Sequence, residues 1–277
     1  GMSAAFSAIF GTPIAAVFFP MEVASIGIIQ YSAMFPCFVS AVTARWMAHL
    51  YGLEKEHLGR VTDVGLDFNV AWKIALLAII CGLLSIIFCL LLKGAGTAFS
   101  KLHINRYFQI FVGGTIFIVI NILLDTKDFL GAGMPVIERA VEGEVVWYAF
   151  IMKMLLTALC IGAGYKGGEI VPSLFIGATF GNLFAHLFGL PTSLAVACGM
   201  AALFVGVTNC PIASLLIISE LFGFKEGNIY FLLAITISYI MSGYFGLYSE
   251  QNIIYSKFRT KYINRKAGAY EEELEKF

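Results

Sequence analysis

The sequence has 277 residues, with 18 basic and 18 acidic side chains, four His and a formal net charge of zero. Charged residues make up 13% of it and hydrophobic residues 59%, whereas a soluble domain carries roughly a quarter of its residues as charges, so this chain cannot cover a water-facing surface of its own size. Lipid accepts such an exterior; the composition places the chain in a bilayer, and with no basic excess to neutralise phosphates no nucleic-acid partner is expected.

Apolar runs follow one another along the chain. Residues 27 to 44 are mostly apolar, and then Arg45 and the polar run from Glu54 to Asp67 leave the hydrocarbon. From Ile74 to Leu92 there are 19 uncharged residues between Lys73 and Lys93. At about 1.5 Å per residue that is enough for one membrane helix. Residues 107 to 124 form another run, ended by Asp125, Lys127 and Asp128. The segment GAGMP at 131 to 135 predicts a loop or a helix start before Pro135. Trp147 to Ala163 is a further span, interrupted only by Lys153. The runs at 170 to 190, 194 to 218, 228 to 242 and 244 to 256 are short, closely spaced and cut by Gly and Pro, with Glu169 and Glu220 against or inside them. Transporters use such broken segments where backbone must face a substrate rather than lipid. Lys257 to Phe277 is charged and predicts a juxtamembrane tail. The six Cys, at 37, 81, 89, 160, 198 and 210, have no metal-ligand spacing and read as small apolar filler. The four His show no ligand spacing either, and neither a metal nor an organic cofactor is expected. The chain opens on Gly1 with no signal peptide, and an upstream part is expected.

An internal repeat stands out. Residues 1 to 23 read GMSAAFSAIFGTPIAAVFFPMEV, and residues 199 to 221 read GMAALFVGVTNCPIASLLIISEL. Without a gap, Gly, Met, Ala, Phe, Pro, Ile, Ala and Glu coincide at eight places, and Pro13 stands to Glu22 as Pro211 stands to Glu220. Two unrelated helices rich in small residues could share part of this. Duplication in a membrane protein points instead to a transporter or channel with its site between the repeats. At matching repeat positions, Glu22 and Glu220 suit capping or interhelical hydrogen bonding better than transport.

Residues 162 to 181 read GAGYKGGEIVPSLFIGATFG. Gly167 and Gly168 let backbone approach a ligand closely, and Pro172 suits the first turn of the helix that follows. Gly177 and Gly181 give that helix a smooth packing face. A helix starting at 170 to 172 in mid-membrane would aim free N–H groups and a positive end at whatever lies beside Gly168, which suits an anion. Glu169 would repel that anion when ionised and donate a hydrogen bond to it when protonated. Burial and a neighbouring anion both favour the protonated form. The acceptor that profits most is a small, hard, basic anion, fluoride rather than chloride. Glu169 in an aqueous vestibule, or paired with Lys166, is the alternative.

These residues resemble the CLC family of anion channels and anion/proton antiporters, the voltage-gated chloride channel family. The family signature Gly-x-Phe-x-Pro is matched by Gly168, Glu169, Ile170, Val171 and Pro172. The opening segment, with Ala4, Phe6, Pro13 and Glu22, is similar to the conserved stretch after the family's first anion-binding motif. SGYFGLYSEQ at 242 to 251 looks like the start of the family's last membrane helix, with Tyr248 at the place of its anion-coordinating tyrosine; an ordinary interfacial tyrosine is the alternative there. The resemblance is nearest to the fluoride/proton antiporter branch, in which a Glu before the usual Phe position is needed for fluoride transport. Glu169 takes that place. Val23 stands where chloride exchangers of the family carry a proton-relay Glu.

The resemblance implies an all-α, CLC-type inverted-repeat fold with short broken helices. Residues 1–105 would hold the end of the first repeat and following helices, 106–256 the second repeat with the anion motif and a final helix, and 257–277 a charged cytoplasmic tail. Gly168, Glu169, Ile170, Val171 and Tyr248 would bind the anion, while Gly167, Pro172, Pro13, Glu22, Pro211 and Glu220 shape the motifs. The expected function is fluoride/proton antiport across the cell membrane, with a chloride channel or chloride/proton exchanger as the alternative. A homodimer with one pore per subunit follows, as does the need for an N-terminal part to complete each pore. No nucleophile, base and orienting group converge, so no enzyme is expected.

Overall fold

Glycine, proline and asparagine divide this apolar chain into helices of unequal length. The computed structural model describes residues 1–53, 58–62, 64–101, 105–224, 227–248, 250–257 and 262–266. Helices in the first part are α1 (Met2–Phe10), α2 (Pro13–Val23), α3 (Met34–Leu50), α4 (Phe68–Lys101) and α5 (Arg106–Leu123). They are followed by α6 (Met134–Glu142), α7 (Ala149–Ala163), α8 (Ile170–Phe188), α9 (Thr192–Thr208), α10 (Pro211–Phe222) and α11 (Asn228–Met241). Strands β1 (Ser25–Ile26), β2 (Asn252–Tyr255) and β3 (Tyr262–Lys266) make one small sheet. Part of the expected polar run at 54 to 67 and most of the expected tail at 257 to 277 lie outside the described residues.

Helices α4, α5 and α8 are long and apolar enough to cross a membrane, and α2, α7, α9, α10 and α11 are shorter apolar helices. At its 34 residues α4 runs for about 51 Å, well beyond a hydrocarbon layer of about 30 Å, so it tilts or projects from the layer. The expected runs at 107 to 124, 147 to 163, 170 to 190 and 228 to 242 are α5, α7, α8 and α11. Residues 194 to 218 are two helices rather than one. Asn209 takes a left-handed conformation, φ 61° and ψ 29°, that closes α9, and Pro211 then opens α10. The start predicted at GAGMP is α6, where left-handed Gly133 precedes Pro135 in the first turn.

The centre of the molecule is α9. Every residue from Ser193 to Thr208 is buried, as suits a helix with small or apolar residues on all sides. It packs against α4, α8 and α11. Contact with α8 is closest where glycines remove side chains: a Cβ on Gly177 would lie 2.5 Å from the Gly199 carbonyl oxygen, and one on Gly181 would lie 2.5 Å from that of Ala195. The six Cys are free thiols, four of them buried.

One expected element is corrected. Residues 244 to 256 do not continue as a final membrane helix; after α11 comes an irregular turn and then β2. The N–H of Leu247 donates to the Val207 carbonyl at 2.9 Å, outside its own segment. The Asn252 N–H donates to the Ala24 carbonyl at 3.4 Å, and β2 pairs in parallel with β1, Ser25 opposite Asn252 and Ile26 opposite Ile253. The β-branched pair Ile253–Ile254 favours a strand, and Gly243 and Gly246 weaken any helix before it. On its other edge β2 pairs antiparallel with β3. The fold is therefore helical with a three-stranded sheet added.

Candidate anion site

The site is assembled where α7 stops and α8 starts. Gly164, at φ 101°, ends α7, and its N–H donates to the Ile161 carbonyl at 3.0 Å. The Tyr165 N–H reaches back to the Cys160 carbonyl at 3.1 Å, a bond across the helix end that only a left-handed residue permits. Beyond it Gly167 and Gly168 are exposed, with open space where their side chains would be.

Glu169 is the N-cap residue of α8, and its backbone carbonyl accepts from the Ser173 N–H at 3.2 Å. The Glu169 carboxyl makes no capping bond to the helix. It forms no ion pair with Lys166 among the described residues. Ile170 and Val171 are half-buried, and Pro172 is buried in the first turn. The N–H groups of that turn have no intrahelical acceptor, and the peptide dipoles leave partial positive charge there.

Tyr248 lies in the irregular turn after α11. It is half-buried, and its hydroxyl is within electrostatic reach of both the Glu169 carboxyl and Cys210. Glu169 and Tyr248, some 80 residues apart in the sequence, thus share an electrostatic interaction but no direct hydrogen bond.

Pro13, Glu22, Pro211 and Glu220 lie at the junction of the repeats, with Pro211 directly after Cys210. Glu220 accepts from the N–H groups of Ile14 at 3.2 Å and Ala15 at 2.8 Å, in the first turn of α2. Glu22 accepts from those of Ile212 at 3.1 Å and Ala213 at 2.8 Å, in the first turn of α10. Each repeat's carboxylate caps the other's helix at matching positions, as an approximate two-fold axis requires. Backbone geometry repeats as well: Gly11 has φ 65° and ψ 26° against 61° and 29° for Asn209, and Thr12 has φ −113° against −116° for Cys210. The equivalent rings of Phe6 and Phe204 meet with centroids 6.5 Å apart.

Two basic residues escaped functional notice in the sequence. Lys153, inside α7, donates to the carbonyls of Phe129 at 3.2 Å and Gly131 at 2.8 Å, with its ammonium 4.9 Å from the Phe175 ring centroid. Lys257 donates to the Asn209 side-chain oxygen and to the Tyr239 carbonyl at 3.1 Å. The signal for the first was a charge inside an apolar run. For the second there was none, since Lys257 opens a charged stretch.

A model of the voltage-gated chloride channel family matches residues 1–243. The chain belongs to that family. It is 33% identical over 265 residues to a chloride/fluoride channel protein of Pseudomonas syringae pv. tomato, covering 93% of this chain and 58% of that one. It is 26% identical over 238 residues to the H(+)/Cl(-) exchange transporter ClcA of Yersinia pestis bv. Antiqua, covering 80% of this chain and 49% of that one. Its fold matches the crystal structure of a CLC-type fluoride/proton antiporter with a TM-score of 0.85 at 31% identity, covering 91% of this chain and 64% of the other. This voltage-gated chloride channel family member is a multi-pass membrane protein with the CLC transporter fold, and it spans about half the length of the curated relatives it matches.

Proposed function

We propose that the protein moves small inorganic anions across the membrane, as a fluoride/proton antiporter. The observation that carries this reading is the state of Glu169: a half-buried carboxyl at the open start of α8, neither capping the helix nor paired with Lys166, and within electrostatic reach of Tyr248. A carboxyl so placed binds an anion only as a hydrogen-bond donor, and so only with its proton. Fluoride, the hardest and most basic of the halides, makes the strongest such bond. The Tyr248 hydroxyl and the N–H groups starting α8 supply the remaining donors. Gly167 and Gly168 leave room for the ion beside them. Anion occupancy of the site is thereby linked to the protonation of Glu169, while the opposite direction of proton movement is taken from the likeness to an antiporter. The likeness to a fluoride/proton antiporter supports the same assignment. The reading extends to a homodimer in which each subunit holds its own pore.

Chloride transport is the second reading, favoured by the match to ClcA exchangers. Against it stands Val23, beside Glu22, whose carboxylate oxygens are occupied by the α10 N–H groups.

The test is fluoride and chloride efflux from liposomes holding the natural gene product, with external pH recorded. Fluoride efflux accompanied by proton movement in the opposite direction, and much slower chloride efflux, is expected. Glu169→Gln keeps a donor but cannot carry the proton, and should lower fluoride flux by roughly tenfold or more, the equivalent of one hydrogen bond to a charged partner. Chloride flux as fast as fluoride flux overturns the selectivity, and an unchanged fluoride rate in the variant removes Glu169 from the site.

A further inference from the structure

The turn that carries Tyr248 is irregular backbone, so something other than a helix must hold it. The Phe245 carbonyl accepts from the Asn209 side-chain Nδ2 at 3.0 Å, the Leu247 N–H donates to Val207 at 2.9 Å, and the Gln251 N–H donates to the Tyr248 carbonyl at 3.1 Å. Gly246 is pressed against the same amide: a Cβ there would lie 2.8 Å from Asn209 Nδ2. The Asn209 side-chain amide therefore braces the turn before Tyr248, and the Gln251 backbone N–H closes it after, with the Gln251 side chain anchored to Val23 and Thr208.

An amide can rotate and exchange its donor end for its acceptor end, and only its partners decide which way it faces. Here Lys257 and the carbonyls of Phe245, Val23 and Thr208 decide together, and Lys257 is the one side chain among them. The Lys257 ammonium donates to Asn209 Oδ1, to the Tyr239 carbonyl at 3.1 Å and to Ser242 Oγ at 3.4 Å, and it stands 4.1 Å above the Tyr239 ring centroid. An ammonium has three donors and no acceptor, so the oxygen of Asn209 must face it. Nδ2 of Asn209 is then left to donate to Phe245 and to Gln251 Oε1 at 3.3 Å. Because Gln251 Oε1 is accepting, its Nε2 faces two carbonyls, Val23 at 2.9 Å and Thr208 at 3.1 Å. Turning either amide would set donor against donor or oxygen against oxygen, a loss of several hydrogen bonds at once in buried surroundings.

We propose that Lys257, acting through Asn209 and Gln251, is a positioning residue for the Tyr248 hydroxyl at the anion site. The proposal rests on Tyr248 being an anion ligand. Its chemistry is that of a polarised relay: a donor-only group at one end holds the Asn209 oxygen, the Asn209 amide holds the Phe245 carbonyl of the turn, and Gln251 ties the pair to Val23 and Thr208.

The experiment is fluoride transport by the natural gene product in liposomes, with initial rate followed against fluoride concentration. Lys257→Met and Gln251→Met each break the relay, and each should raise KM about tenfold while leaving the maximum rate within about threefold. Lys257→Arg, again donor-only, should stay within about threefold of the unaltered protein in KM. Tyr248→Phe should also raise KM, and adding Lys257→Met to it should do no further harm, because both act on one contact. If Tyr248→Phe raises KM while Lys257→Met or Gln251→Met leaves it unchanged, the relay is overturned. A Gln251→Met protein with unaltered KM, beside a defective Lys257→Met, likewise overturns it and makes Lys257 a through-space charge. Failure of Lys257→Arg to restore KM has the same force. Unchanged KM in Tyr248→Phe overturns instead the anion-ligand assignment. Should Lys257→Met not fold, Gln251→Met, which keeps the lysine, decides between the same outcomes.

Discussion

Lys153 sits in α7, where lipid and neighbouring helices offer an ammonium no water. It is tolerated because its protons are taken by the Phe129 and Gly131 carbonyls and its charge faces the Phe175 ring. The lysine thus clips the 129–131 segment against α7 and packs beside α8, the helix that presents Glu169. Lys153→Met keeps the aliphatic stem and strands two carbonyls, which should cost about 1–3 kcal/mol for each one left unsatisfied. Thermal unfolding in detergent should show the loss, and Lys153→Arg should recover part of it. An unaltered midpoint for Lys153→Met would mean that the carbonyls find other partners. The sequence marks Lys153 as an interruption but cannot name its partners, which lie 22 to 24 residues earlier in a loop. Glu169 was more legible, because Gly167, Gly168 and Pro172 announce a helix start and the carboxyl falls beside it.

Helix packing shows the same division between what local pattern reveals and what only contact reveals. The spacing of Gly177 and Gly181 predicts a close approach by some helix, and the structure identifies it as α9, with Gly199 facing Gly177. Gly181→Val puts a branched side chain where a Cβ alone would already stand 2.5 Å from the Ala195 carbonyl oxygen. Backbone must move to admit it, and the α8–α9 contact should weaken by about 1–3 kcal/mol or more. Since α8 also carries Glu169 at its far end, reduced thermal stability should come with reduced anion flux. Normal stability would mean that α8 slides along α9 freely. Residues 244 to 256 were less legible. A short apolar run has no periodicity that separates helix from strand, and the contacts that settle it belong to distant chain: Val207, Ala24 and β1.

At the scale of the molecule, the repeat was visible as eight identities, while the exchange between its copies was not, because it is a relation through space. Pro13 and Pro211 each open a helix, and proline leaves the next N–H groups of the first turn to find acceptors. In each copy the acceptor is the other copy's glutamate. This explains why proline, the following Ile-Ala pair and glutamate are kept together in both copies: each set supplies one half of a cap and completes the partner's. The two caps share no atoms, so Glu22→Ala and Glu220→Ala should each destabilise the protein by about 2–4 kcal/mol, the worth of two N–H bonds to a carboxylate. Both caps join the same two helices, α2 and α10, so the double variant should depart from the simple sum by a coupling energy. Thermal unfolding of the three variants in detergent measures this. Near-equal losses from the two single variants are what the two-fold relation demands. If one carboxylate proved dispensable and the other essential, the matching distances at Ile14, Ala15, Ile212 and Ala213 would describe shape without equal energetic weight, and the first helix pair would owe its docking to the apolar contact between Phe6, Phe19 and Phe204 instead.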